Sequence, residues 1–144
     1  MKKIKPGFIK YYLPTILWII TVLVLTSYPS LKIPDIGTSI EDKLAHFGVY
    51  LILAFLMSRS LWYRDNLSTW RLIYLSVLYC TLFAFFDEIH QSFIPGRSTE
   101  LYDLLSDFIG ILAAQILFLQ YLKYILKKNH VKQETHQMNG LHNK

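Results

Sequence analysis

Four apolar runs separated by short polar stretches organise the chain: residues 15–26 read TILWIITVLVLT, 51–57 LILAFLM, 72–86 LIYLSVLYCTLFAFF and 108–119 FIGILAAQILFL. Extended to their flanking aromatic and charged residues, they become spans of about 18 to 22 residues. That is near the ~20 that a helix rising 1.5 Å per residue needs to cross ~30 Å of hydrocarbon. Tyr and Trp at the ends suit the headgroup region, so the pattern predicts membrane helices over residues 11–28, 43–62, 70–91 and 101–121. A bundle standing in water would need polar outer faces, and these spans show almost none. The fold class is therefore an all-α integral membrane protein, with one four-helix domain over residues 1–126. A polar tail, residues 127–144, is expected to be disordered.

Composition agrees. The chain is 53% hydrophobic and only 17% charged, with a mean hydropathy of +0.30, outside the balance of a soluble domain. Lys2, Lys3, Lys5 and Lys10 before the first span resemble the basic start of a signal peptide. The apolar core runs on to Tyr28, however, and SYPSLKIP after it offers no small-residue cleavage site, so the span reads as a retained helix.

Charge sets an expected orientation. With the N-terminus inside, twelve of the fifteen basic residues fall on the cytoplasmic side and only Lys32, Lys43 and Arg97 face out. Eight of the ten acids, all but Asp65 and Glu134, lie outside or at the outer helix ends. Both termini are thus expected in the cytoplasm. The basic face is accounted for by topology and anionic lipid, leaving no need for nucleic acid.

That orientation gathers the polar ends of spans two, three and four at the outer leaflet. Residues 85–107, FFDEIHQSFIPGRSTELYDLLSD, place five carboxylates, a histidine and an arginine between two apolar runs. Lys43, His46 and Tyr50 share one helical face, as do Asp87 and Gln91, and as do Asp103, Asp107, Gly110 and Ala114. A charge at mid-membrane carries a penalty of about 2.5 to 3.5 kcal/mol, so three unpaired ones would cost about 9 kcal/mol, comparable to a domain's whole stability. Lys43, Arg97 and His46 are therefore expected to balance Asp87, Glu88 and Asp107. Gly110, Ala113 and Ala114 would let span four approach a neighbour closely.

Plainer roles exist for several residues. Ser98 or Thr99 would cap span four, Glu100 and Asp103 would complement its dipole, and Pro95 with Gly96 would form a turn. His90 reads as an interfacial surface residue, and Cys80, alone in span three, as packing. His130, His136 and His142 in the tail share no helical face, which argues against a metal-binding tail.

The motifs DKLAHFGVYLIL (42–53), FDEIHQSFIPGR (86–97) and DLLSDFIG (103–110) resemble the VanZ-like family of small bacterial membrane proteins, over residues 13–122. The family pattern, D-K-x-x-H, then D-E-x-x-Q-x-x-x-P-x-R, then D-x-x-x-N-x-x-G, falls on Asp42, Lys43, His46, Tyr50, Asp87, Glu88, Gln91, Pro95, Arg97, Asp103 and Gly110. This chain departs at Asp107, where the family usually has asparagine. The acid adds a negative charge or, if neutral, a proton donor.

The resemblance implies a multi-pass protein of the bacterial cytoplasmic membrane, related to a protein associated with teicoplanin resistance. Three functions compete. A non-catalytic outer pocket would bind or redistribute a surface component, such as a lipid-linked cell-wall intermediate or teichoic acid, and so reduce glycopeptide access. Alternatively, a membrane-embedded transferase or hydrolase would act on a lipid-linked substrate, with catalytic candidates Asp87, Glu88, His46 and Arg97. The third function is an ion path. No cofactor is expected, although Asp87, Glu88, His46 and Asp107 offer ligands for one hard divalent metal ion.

Overall fold

The computed structural model describes residues 6–29, 39–64, 67–95 and 100–142. They form four helices: α1 (Pro6–Thr26), α2 (Ser39–Arg64), α3 (Thr69–Ser92) and α4 (Leu101–His142). Each contains a stretch long and apolar enough to cross a membrane, so this is a multi-pass membrane protein. Leu17, Ile20 and Val24 of α1, Trp70, Tyr74 and Phe86 of α3, and Ile109 and Ile116 of α4 are all more than half exposed. Such an apolar belt is stable against lipid and unfavourable against water.

The helices alternate in direction. Thr15 meets Leu56 and Ser60, and Trp18 Nε1 donates to the Val49 carbonyl at 3.0 Å, so α1 runs antiparallel to α2. The pairs Tyr50–Asp87 and Ser58–Ser76 make α3 antiparallel to α2. His46–Asp107 and Ser58–Gln115 make α4 parallel to α2. Helix α2 is central: it packs on all three others, most extensively on α4.

Two backbone features explain that order. Pro14 lies inside α1 and has no N–H, which leaves the Lys10 carbonyl without its intrahelical donor. Arg59 Nη2 of α2 donates to that carbonyl at 3.3 Å, tying the two helices at the point where α1 is weakest. On the other side of α2, a Cβ at Gly110 would collide with the Phe47 carbonyl oxygen. Only glycine there allows α4 so close, and the buried Ala114 continues the contact one turn on.

Tyr50, Leu53, Ala54, Cys80, Ala84, Ile111 and Ala114 form the main core, with Leu72, Phe118 and Leu122 in a second cluster. Deep between them sits a neutral polar network. Ser58 Oγ lies 2.8 Å from Ser76 Oγ and 3.0 Å from Gln115 Oε1; Gln115 Nε2 donates to Ser76 Oγ and to the Ile111 carbonyl, each at 3.3 Å.

Helix α4 is 42 residues long, about 63 Å at 1.5 Å per residue, and continues as helix to His142. Lys, Gln, Glu, Met and Leu are good helix formers, and the segment contains no proline, so polarity alone does not stop the helix. The exposed His130 Nδ1 pairs with Glu134 one turn on, at 3.2 Å.

Candidate functional site: a buried acidic cluster with a His–Asp pair

The antiparallel and parallel pairings bring the start of α2, the end of α3 and the start of α4 to one end of the bundle. Lys43, at the first turns of α2, faces the start of α4: its Nζ donates to Glu100 Oε2 at 3.0 Å and lies 3.5 Å from Asp103 Oδ1. One turn deeper, His46 Nδ1 lies 3.0 Å from Asp107 Oδ1. Another turn on, the buried Tyr50 hydroxyl crosses to α3 and donates to Asp87 Oδ2 at 3.1 Å. Gln91 Nε2 donates to the same oxygen at 3.1 Å.

This differs from the ion pairing expected of the sequence. Lys43 serves Glu100 and Asp103 rather than Asp87 or Glu88. The reason is helix direction: α2 and α4 are parallel, so their first turns meet, whereas antiparallel α3 presents Asp87 opposite the deeper Tyr50. Asp87 thus has neutral donors, and the added acid at Asp107 meets His46. Arg97, with Gly96, Ser98 and Thr99, lies outside the described residues.

Asp87, Glu88, Asp103 and Asp107 are 3, 8, 4 and 1% exposed. Asp87 Oδ1, Glu88 Oε1 and Asp107 Oδ2 are buried and accept no hydrogen bond from the described residues. Asp42 is exposed, and Pro95 lies in the turn after α3. His90 Nε2 is 2.9 Å from Ser27 Oγ, closing the end of α1 on the end of α3.

Glu88 also lines a cleft of about 330 Å³ between α3 and the start of α4, whose other walls include Phe85, Ile89, Leu101 and Leu104. A long apolar chain suits these walls, and a polar head suits the acid. Two features escaped the sequence reading. One is Glu100 as the partner of Lys43, which only the parallel packing reveals. The other is the Ser58–Ser76–Gln115 network, whose signal was present as isolated polar residues inside apolar spans.

The site's residues fall within a wider similarity, because the family model described as VanZ/LLP1 matches residues 17–126. The chain belongs to the VanZ/LLP1 family. An uncharacterised protein of Schizosaccharomyces pombe is similar to it, 30% identical over 122 residues that cover 81% of this chain and 70% of that protein. No solved structure matches the chain.

Chemically, an imidazole nitrogen held by a carboxylate fixes the ring's orientation and tautomer, which readies the other nitrogen to take or give a proton. Glu88 provides a second proton-exchanging group beside it. Ligand atoms of His46, Glu88 and Asp107 lie within 4.8 Å of one another, as do those of Asp42, His46 and Asp103, so either trio could hold a metal ion.

Proposed function

We propose that this VanZ/LLP1 chain draws the polar head of a lipid-linked substrate into the crevice between α3 and α4 and acts on it by acid–base chemistry, as a membrane-embedded transferase or hydrolase. The observation that carries this reading is the buried His46–Asp107 pair, 3.0 Å apart, next to a cleft-lining Glu88 with an unpartnered oxygen. His46 is the general base, Asp107 its positioning partner, and Glu88 the second acid–base group. Among the described residues no serine or cysteine is hydrogen-bonded to His46, so the attacking group is a water or a substrate hydroxyl.

The bias of basic residues supports an arrangement with both termini in the cytoplasm and the site at the outer leaflet of a bacterial cytoplasmic membrane. The relative in a yeast favours a headgroup that does not depend on a peptidoglycan wall. A second reading keeps the site but removes the chemistry: the pocket binds or masks a surface component and lowers access of glycopeptides such as teicoplanin. That no hydroxyl or thiol among the described residues is hydrogen-bonded to His46 favours it.

Lipid extracts decide between them. Cells carrying wild type, His46→Phe at matched membrane levels, or empty vector are compared by mass spectrometry. A lipid species present only with wild type is the expected result. Identical extracts from all three overturn the catalytic reading, and protection against teicoplanin without any new species would establish the second.

A further inference from the structure

Among the described residues, the polar end of the bundle buries four carboxylates with two basic side chains in reach of them. Among the described residues, the cationic side chains touching the four buried carboxylates are Lys43 and His46. Lys43 is engaged by Glu100 and Asp103, which leaves His46 as the basic side chain beside Asp107, while Asp87 is met by the neutral Tyr50 and Gln91. Glu88, 8% exposed, leaves Oε1 with no hydrogen bond, and Asp107, 1% exposed, leaves Oδ2 with none. Each such oxygen is buried without a hydrogen bond from the described residues, an unfavourable state that a bound cation would relieve.

A nitrogen of His46 and an oxygen from each of Glu88 and Asp107 already lie within 4.8 Å of one another. Neighbouring ligands about 2.1 Å from an ion sit roughly 3.0 to 3.4 Å apart, so a small side-chain rotation closes the set. His46 Nδ1 and Asp107 Oδ1, at 3.0 Å, have that spacing as they stand. The other trio shares His46, but its Asp42 is exposed and its Asp103 is paired with Lys43.

We propose that His46, Glu88 and Asp107 together bind one divalent cation. One imidazole nitrogen with two carboxylate oxygens suits zinc or manganese better than calcium. This rests on the proposed action on a lipid headgroup for the cation's purpose: with the ion bound, the ligating His46 nitrogen gives up its hydrogen bond to Asp107, so His46 is the general base only of the metal-free site. An anionic headgroup is repelled by the carboxylates gathered at this end of the bundle, whereas a cation held partly by cleft-lining Glu88 offsets the charge of Glu88 and Asp107 and attracts the headgroup's oxygens.

The test uses the full chain in detergent or nanodiscs, stripped with chelator, reloaded with Mn²⁺ or Zn²⁺, freed of excess ion and measured for metal per protein, with Ca²⁺ as comparator. Wild type is expected to retain about one Mn²⁺ or Zn²⁺ and to melt at a higher temperature when loaded. Glu88→Leu, which places an apolar group in an apolar cleft and so should fold, is expected to bind about tenfold more weakly or worse. Asp42→Asn is expected to bind as wild type does. No retained metal in wild type, or equal retention in Glu88→Leu, overturns the proposal, and loss in Asp42→Asn moves the site to the other trio and overturns it as stated. Lipid product formation assayed with stripped and with loaded protein separates the two readings. A wild-type-dependent lipid product formed without bound metal sinks the cation and leaves the acid–base site, while metal bound without any lipid product leaves the cation and sinks the catalysis.

Discussion

Two buried polar clusters share α2, α3 and α4 but are built on opposite principles. At mid-bundle, Ser58, Ser76 and Gln115 are neutral and linked to one another by hydrogen bonds. At the end of the bundle, Asp87, Glu88, Asp103 and Asp107 are acidic; Asp103 is ion-paired with Lys43, and the other three each have a buried oxygen that accepts no hydrogen bond from the described residues. Interhelical bonds between neutral groups contribute about 0.6 kcal/mol each in lipid, whereas a buried polar group left without a partner costs about 1 to 3 kcal/mol. The first cluster holds helices together. The second is held in place by the helices, which is what a site adapted to a ligand or a proton looks like.

The sharpest way to break that contrast is at His46. Its replacement by Phe keeps a ring of similar size on α2 but removes the nitrogen beside Asp107. On the proposed acid–base reading, product formation in membranes should fall about 10²- to 10⁴-fold, and an unchanged rate would take His46 out of that reading.

Glu88→Leu should next separate stability from function. Removing an unpartnered buried acid is expected to raise thermal stability in detergent, by up to about 2 to 3 kcal/mol, while abolishing turnover. Lower stability would mean that Glu88 is a structural partner after all. Gly110→Ala should then strain both clusters at once. Its Cβ meets the Phe47 carbonyl, so α2 and α4 must separate, at about 1 to 3 kcal/mol. Both the melting temperature and turnover should drop together, since His46–Asp107 bridges the same two helices.

How much of this was legible in the sequence differs between the clusters. Apolar runs of membrane length gave four helices, and helical spacing put Lys43, His46 and Tyr50 on one face of α2. Helix ends were less legible: α1 begins at Pro6 and stops at Thr26, and α4 passes residue 126 without interruption. Hydrophobicity marks where lipid begins, while propensity decides where the helix ends. Partner choice was least legible. Nothing local to Lys43 says that α4 lies parallel to α2, so its pairing with Glu100 and Asp103 needed the packing that Gly110 permits. The mid-bundle network was overlooked because single serines in apolar runs carry no charge to flag them.

The smallest expected effect gives the cleanest control. Gln115 spans the neutral cluster, bonding Ser58 and Ser76 as well as the Ile111 carbonyl of its own helix. Gln115→Leu keeps the volume close and leaves the two serines 2.8 Å apart, still able to bond each other. The loss should therefore be only about 0.6 to 1.7 kcal/mol, with turnover unchanged. Ser76→Ala alone should cost a similar amount, and the double variant less than the sum, because both remove the Gln115–Ser76 bond. Strict additivity would show that the two residues do not form one network. A drop in turnover would show that the neutral cluster also serves the acidic one, through the helix α4 that carries Gln115 and Asp107 two turns apart.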